Sequence, residues 1–279
     1  MSTNEKTKVA MLVATAQDAE VRGAALQKLA AQNDLLELVF AGMDQEPEEI
    51  IAAFAGAAAL ITMNKQFINP IATNLPGLKL LQTFSAGTDE LDRAQLLSQG
   101  VKVANNDGAN AVAVAEHAIW MMVTINHKLD LQIESVKAGK WMAGVTGAMT
   151  EYTSLVDKQV GIIGLGRIGS RVAKRLAGWA CNVVYHDPIT FDAEYESESG
   201  ATRMTLDELI ATSDIITLHV PLDRITRQMM STEQFKAMKK TAVLINTCRG
   251  PVVDEAALVE ALRNGEIWGA GLDVTEVEP

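Results

Sequence analysis

Cysteine is nearly absent. Cys181 and Cys248 are the two in the chain, too few for a disulfide framework and suited to a reducing compartment. Positive charge is short as well: 24 Lys and Arg stand against 35 Asp and Glu, a formal net charge of −11. No basic stripe interrupts that deficit, so the phosphate-neutralising charge that nucleic-acid binding needs is missing. Long apolar runs are missing too. The longest, Ile50 to Met63 (IIAAFAGAAALITM), is too short to span a bilayer, and the N-terminal MSTNEKTK has no apolar signal core. His117 and His127 stand too far apart on one helix for metal ligation, and no Cys or His cluster suggests zinc. These absences predict a cytoplasmic, acidic chain with no nucleic-acid, membrane or metal partner. What is present is 279 residues, 48% of them apolar. That is too apolar for disorder and long enough for two domains.

Short apolar runs alternate with amphipathic, helix-length segments. Lys8–Val13, Glu37–Gly42, Ala59–Met63, Lys79–Phe84 and Lys102–Asn105 read as strands, with helical spacing over Asp18–Gln32, Glu46–Phe54 and Asp92–Ser98. Strands separated by helices imply a parallel sheet covered on both faces. The first unit is expected to end in the turn-rich stretch Asn106–Gly108, which gives a first domain of residues 1–106 and a second of 107–279. Ala111 to Leu131 reads as one long, almost uncharged helix, the kind buried between domains or in a dimer interface. A polar stretch, Lys137–Tyr152, leads into a second alternating series. Its strands are Val160–Gly164, Asn182–Asp187, Ala201–Met204, Ile215–Val220, Val243–Thr247 and Gly269–Val274. Its helices are Arg167–Trp179, Leu206–Thr212, Thr232–Lys236 and Glu255–Asn264. That rhythm matches the two mononucleotide-binding halves of a Rossmann domain.

VGIIGLGRIGSRVAKRL places Gly164, Gly166 and Gly169 in the G-x-G-x-x-G register between a strand and a helix. The first glycine permits the tight turn, the second lets a pyrophosphate approach the backbone, and the third lets helix and strand pack closely. Asp187 ends NVVYHD about 20 residues on, where an acid binds an adenosine ribose. Pro188 and Ile189 follow it and no Arg is adjacent to neutralise a 2′-phosphate, which favours NAD over NADP.

Together these motifs resemble the D-isomer-specific 2-hydroxyacid dehydrogenases, and the likeness runs over essentially the whole chain. SAGTDELD (Ser85–Asp92) resembles the family's substrate-carboxylate loop. NAVAVAEHA (Asn110–Ala118) resembles the helix that opens the cofactor domain, with GKW (Gly139–Trp141) following. HVPLDRITRQMM (His219–Met230) resembles the strand end that walls the adenosine. NTCRGPVVDEAAL (Asn246–Leu258) and GAGLDVTEVEP (Gly269–Pro279) resemble the two catalytic signatures. The resemblance implies a flavodoxin-like substrate domain and a Rossmann NAD-binding domain, with substrate and cofactor meeting in the cleft between them. It also implies a homodimer through the Ala111–Leu131 region. Arg249 would be the substrate arginine and Glu278 the glutamate that supports the catalytic histidine. Backbone N–H groups at Ser85, Ala86 and Gly87 would meet the substrate carboxylate, with Asn110 nearby. On the cofactor side, Arg167 and Ile168 would join the glycines at the pyrophosphate and Asp187 would take the ribose. His219, Val220, Pro221 and Thr226 would wall the adenosine or phosphate. Thr247, Cys248, Arg249 and Asp273 would face the nicotinamide side.

The chemistry wants these residue types. A planar guanidinium can hold a carboxylate and polarise a ketone with directed hydrogen bonds, and Arg249 follows VLINT, at the carboxyl end of a parallel strand, where ligands of such sheets bind. A carboxylate such as Glu278 keeps a neighbouring histidine protonated for donation to the developing alkoxide. Cys248 lacks an evident base and reads as a small buried thiol. No basic residue precedes Arg93 in the carboxylate loop, which favours a small, unphosphorylated 2-oxo acid. Two other classes use such a cofactor domain. One is an NAD-binding regulatory or corepressor-like protein without turnover; the other resembles adenosylhomocysteine hydrolase, against which the NTCRG arginine and the carboxylate loop argue. The resemblance also implies a histidine beyond Glu278. The four histidines present, His117, His127, His186 and His219, all precede Arg249, so the 279 residues are expected to be a shortened form of a longer enzyme.

Overall fold

Parallel strands covered on both faces must be apolar at nearly every position, and VGII, IITL and VLI in the second half of the chain are such runs. In the computed structural model, which describes residues 6–30, 35–140 and 153–278, the backbone forms two compact units, Met1–Ala109 and Asn110–Pro279.

The first unit is a five-stranded parallel sheet. Its strands are β1 (Thr7–Val13), β2 (Leu36–Gly42), β3 (Ala59–Thr62), β4 (Leu80–Thr83) and β5 (Lys102–Ala104), in the order β2-β1-β3-β4-β5. That is the flavodoxin-like order, with its reversal between β1 and β3. Helices α1 (Ala16–Ala30), α2 (Pro47–Phe54), α3 (Ile68–Thr73) and α4 (Arg93–Ser98) connect the strands. Ala10, Leu12, Leu60 and Leu81 from the sheet pack with Ile50, Phe54, Ile68, Ile71 and Leu96 from the helices. Helix α3 is not legible in the sequence. It is six residues long and carries Pro70 in its first turn, where the missing N–H would have had no helical partner anyway.

The second unit opens with α5 (Ala111–His127) and α6 (Leu129–Lys137). The single helix expected over Ala111–Leu131 is broken at Lys128, whose φ of 50° is left-handed. Its N–H returns to Thr124 and Ile125, its ammonium lies over the Trp268 ring, and the Gln132 side chain caps the His127 carbonyl at 2.6 Å. The stretch around Trp141 lies outside the described residues. The six-stranded sheet follows: β6 (Gln159–Ile163), β7 (Asn182–His186), β8 (Thr202–Arg203), β9 (Ile215–Leu218), β10 (Val243–Asn246) and β11 (Gly269–Leu272). They run in the order β11-β10-β9-β6-β7-β8, the doubly wound Rossmann arrangement with its switch point between β6 and β9. Alternate residues divide the core between its faces. Val160, Ile162, Ile215, Val243 and Ile245 pack on α5 and on α7 (Gly169–Leu176). Ile163, Ile216, Leu218 and Leu244 pack on α9 (Leu206–Thr212), α10 (Thr232–Ala237) and α11 (Glu255–Arg263).

The remaining helix, α8 (Ala193–Ser199), reads AEYESES and shows no apolar periodicity. Its caps define it: the Asp192 carboxylate accepts the Tyr195 N–H, and Gly200 closes the C-terminus at φ 71°.

Candidate active site

The glycine turn joins β6 to α7. Gly164 has φ +95°, and a Cβ there would stand 2.7 Å from the His219 carbonyl oxygen. On Gly169 it would stand 2.0 Å from the Gly164 carbonyl oxygen. The protein's own backbone excludes a side chain at both positions. Gly166 differs: a Cβ there would meet nothing within 4 Å. The room beside Gly166 is the cradle a pyrophosphate needs to reach helix N-terminal amides, so the residues present fit a dinucleotide.

Asp187 ends up against this turn. It is 7% exposed. Its Oδ2 accepts the Leu165 N–H at 2.8 Å and its Oδ1 the Ile189 N–H at 2.8 Å. A carboxylate offers about four lone-pair sites, so both oxygens retain capacity for ribose hydroxyls. No arginine adjoins Asp187 in sequence, yet the fold supplies one: Arg203 donates to the carbonyls of Asp187 and Ile189, at 2.7 and 3.1 Å. Arg167 is exposed and Ile168 half-buried at the start of α7. The 219–226 loop closes on itself. The Thr226 hydroxyl donates to the Pro221 carbonyl at 2.6 Å, and the Asp223 carboxylate accepts the N–H groups of Ile225 and Thr226. Those bonds hold the Asp223 carboxyl below the usual range.

The ends of β9 and β10 carry the reacting-side candidates. Asn246 pairs with Leu218, so Thr247 and His219 leave the sheet next to each other. Thr247 Oγ1 and His219 Nδ1 are both buried without a hydrogen-bond partner. His219 Nε2 lies 3.0 Å from the Thr217 hydroxyl, and burial pushes the imidazole down to about 3. Burial pushes the Cys248 thiol up to about 11, which removes it as a thiolate near neutrality. Asn246 locks the turn: its Oδ1 accepts from the Cys248 N–H and thiol, and its Nδ2 donates to the Arg249 carbonyl at 2.9 Å. Arg249 is half-buried and its Nη1 donates to the Cys248 carbonyl at 2.6 Å. At the following Gly250, a Cβ would stand 1.9 Å from the Thr275 carbonyl oxygen, so the arginine turn and the segment leading to the exposed Glu278 cross in backbone contact. Asp273 meets His117 of α5 at 3.2 Å, and His117 stacks on Trp120.

In the first unit, the loop after β4 has its carbonyls occupied. Asn106 Nδ2 donates to Phe84, Thr83 Oγ1 to Ser85, Asn105 Nδ2 to Ala86 and Ser85 Oγ to Gly87. Four successive carbonyls, Phe84 to Gly87, are thus held by side-chain donors, which fixes the backbone of this loop. Asn110 is exposed at the N-cap of α5, with no side-chain cap bond.

Glycine turn, acid and switch point define a dinucleotide-binding protein of the doubly wound class. Residues 119–279 match the family described as D-isomer specific 2-hydroxyacid dehydrogenase, NAD binding domain. A glyoxylate reductase of Korarchaeum cryptofilum is 36% identical over 204 residues, covering 73% of this chain and 61% of that protein. The D-mandelate dehydrogenase of Rhodotorula graminis superposes with a TM-score of 0.84 at 26% identity, over 98% of this chain and 83% of that one. The D-lactate dehydrogenase of Aquifex aeolicus, complexed with NAD and lactic acid, gives 0.80 at 29% identity, over 96% and 77%. The chain belongs to the D-isomer-specific 2-hydroxyacid dehydrogenase family. It spans 61% of the length of the curated glyoxylate reductase it matches.

Several residues of these sites escape the sequence reading. Asn246 and Asn105 act on carbonyls of their own or neighbouring loops, a use signalled by asparagine beside a strand end. Tyr195 reaches the glycine turn from α8 and Arg203 the Asp187 loop from β8, and no local pattern marks them. Among the described residues, no group of three or more His, Cys, Asp or Glu side chains could hold a metal, and no helix is long and apolar enough to cross a membrane.

Proposed function

We propose that this protein transfers a hydride between NAD(H) and a small, unphosphorylated 2-hydroxy or 2-oxo acid, with D specificity. The observation that carries the reading is Arg249 at the carboxyl end of β10, in the sheet whose glycine turn and Asp187 fit a dinucleotide. Bound NAD(H) supplies the hydride acceptor or donor. On this reading Gly164, Gly166, Arg167, Ile168 and Gly169 hold the pyrophosphate and Asp187 the ribose. His219, Val220, Pro221 and Thr226 wall the adenosine side, while Thr247, Cys248 and Asp273 face the nicotinamide. Arg249 polarises the ketone and shares the carboxylate with the amides of Ser85, Ala86 and Gly87, with Asn110 contributing. Glu278 keeps the role of the carboxylate beside an acid–base histidine. Burial, which pushes the His219 imidazole down to about 3, argues against His219 as that histidine, because a neutral ring has no proton to give at neutrality.

The substrate side supports a small acid without a phosphate. Thr62 pairs with Thr83, so Met63 and Phe84 follow as neighbours at the strand ends, 38% and 45% exposed. Apolar neighbours beside the carboxylate loop suit an uncharged substituent. We also infer a cytoplasmic homodimer. Val112 and Trp120 of α5 and Leu131, Ile133 and Val136 of α6 are exposed apolar groups, and a partner would cover them. A monomer by light scattering at micromolar concentration refutes the dimer. The enzymatic reading is tested with a panel of 2-oxo acids followed by NADH absorbance. NADH binding without oxidation on any of them would favour the regulatory alternative.

A further inference from the structure

Tyr195 of α8 has no role in the reading so far, and its hydroxyl is aimed at the glycine turn. The oxygen lies 2.9 Å from the Leu165 carbonyl oxygen and 3.4 Å from that of Gly166. The other side of Leu165 is held by Asp187, which accepts its N–H. A trans peptide sets its C=O and N–H on opposite sides of the chain. Drawing the Leu165 carbonyl toward Tyr195 therefore turns the Gly166 N–H away from the tyrosine, and among the described residues that N–H meets no backbone acceptor. Beside it is the open space where a Cβ on Gly166 would meet nothing.

Tyr195 is itself held on two counts. The Asp192 carboxylate accepts its N–H at 2.8 Å, and its ring stacks on Phe191 with centroids 4.7 Å apart and planes at 23°. The G-x-G-x-x-G spacing requires no tyrosine. What the geometry uses is a donor placed on the far side of the turn from the ligand.

We propose that Tyr195 is a positioning residue for the cofactor's pyrophosphate: its hydroxyl donates to the Leu165 carbonyl and so fixes the peptide plane that presents the Gly166 N–H to the anion. The proposal rests on the NAD-binding reading of the turn. It predicts a contribution that depends on the ligand's phosphates and not on its adenine.

Tyr195→Phe keeps the ring and its stack and removes the hydroxyl alone. The test measures NADH by fluorescence, ADP by calorimetry and adenosine by NMR titration on the wild-type chain and the variant. Losing one neutral hydrogen bond should weaken NADH and ADP by the same factor, about 3- to 10-fold, and leave adenosine unchanged. Equal loss for adenosine would make Tyr195 a wall of the adenine pocket, and no loss for any ligand would make the hydroxyl idle; either result overturns the proposal. A wild-type chain that binds neither NADH nor ADP overturns the cofactor reading itself, before the variant is compared.

Discussion

His219 enters the folded state as a neutral imidazole, and a specific acid lability follows. Burial alone is the cause of its low pKa of about 3; in the unfolded chain such a ring titrates near about 6.5. Between those values the unfolded state binds a proton that the folded state refuses. Stability rises with pH wherever the unfolded state binds more protons. The contribution is therefore fully present above pH 6.5 and is lost as pH falls toward 3. By pH 5.0 the unfolded ring is almost wholly protonated, which at about 1.4 kcal/mol per pH unit below 6.5 amounts to about 2 kcal/mol. The whole window could lose at most about 5 kcal/mol, less to the extent that local opening admits the proton.

Urea unfolding at pH 7.5 and pH 5.0 reads this directly. The wild-type chain should lose about 2 kcal/mol more between the two than His219→Gln, whose side chain does not titrate. Asp223, Asp254 and Glu208 also have carboxyls held low by hydrogen bonds, but both proteins share them and the difference cancels. Equal pH slopes in the two proteins would refute the reasoning, as would an NMR titration that finds His219 protonating near pH 6.5. The latter result would also reopen His219 as the proton donor.

Three further outcomes are expected. Asp187→Ala removes a charged acceptor from the ribose position and should weaken NADH by about 10- to 100-fold. Because Arg203 stays beside the same loop, NADPH should lose less, and an unchanged NADH-to-NADPH ratio by fluorescence titration would count against the assignment. Arg249→Ala should lower kcat/KM for the best 2-oxo acid of the panel by at least about 3 kcal/mol, with NADH affinity nearly unchanged, and Lys should rescue only part because it loses the fork. Full activity in Arg249→Ala would remove the mechanism. Gly250→Ala places a Cβ 1.9 Å from the Thr275 carbonyl oxygen, so the backbones must part, at about 1–3 kcal/mol of stability or more. An unchanged melting temperature would mean that the crossing is looser than the geometry says.

The central strands of the second sheet were legible because their burial is written as composition: β6, β9 and β10 are almost wholly buried, and a strand covered on both faces reads as an apolar run. The glycine turn was legible for a different reason. Its constraints act between residues a few positions apart, as in Gly169 against Gly164, so spacing alone carries them. Helices α3 and α8 were not legible, because α3 carries Pro70 in its first turn and α8 reads AEYESES without apolar spacing, its signals being the caps Asp192 and Gly200. The break at Lys128 was hidden because no Gly or Pro marks it; contacts with Trp268 and Gln132 accompany the left-handed residue instead. Arg203 was hidden by distance along the chain: no arginine follows Asp187 in the sequence, and the fold brings one to its carbonyl from β8.

Polar groups left without partners point, within each unit, to the carboxyl ends of the strands. Leaving a buried donor or acceptor unsatisfied costs about 1–3 kcal/mol, so a fold tolerates few. Four such side-chain atoms occur among the described residues, on Thr62, Thr124, His219 and Thr247. Thr124 lies within α5, but the other three stand at the carboxyl ends of strands, Thr62 closing β3 and His219 and Thr247 following β9 and β10. Folding alone gives no reason for that bias, since the amino ends of the same strands face the same demand for satisfied groups. Ligands of open α/β sheets bind outside the carboxyl ends, where a cofactor or acid can bring donors and acceptors that the chain does not. Gly166 argues the same way from sterics: Gly164 and Gly169 are required by the protein's own backbone, whereas the space beside Gly166 is required by nothing in the protein. Unsatisfied polarity and unfilled space thus fall at the carboxyl ends of the strands, where the Rossmann and flavodoxin-like topologies bind their ligands, and a binding role accounts for both with one cause.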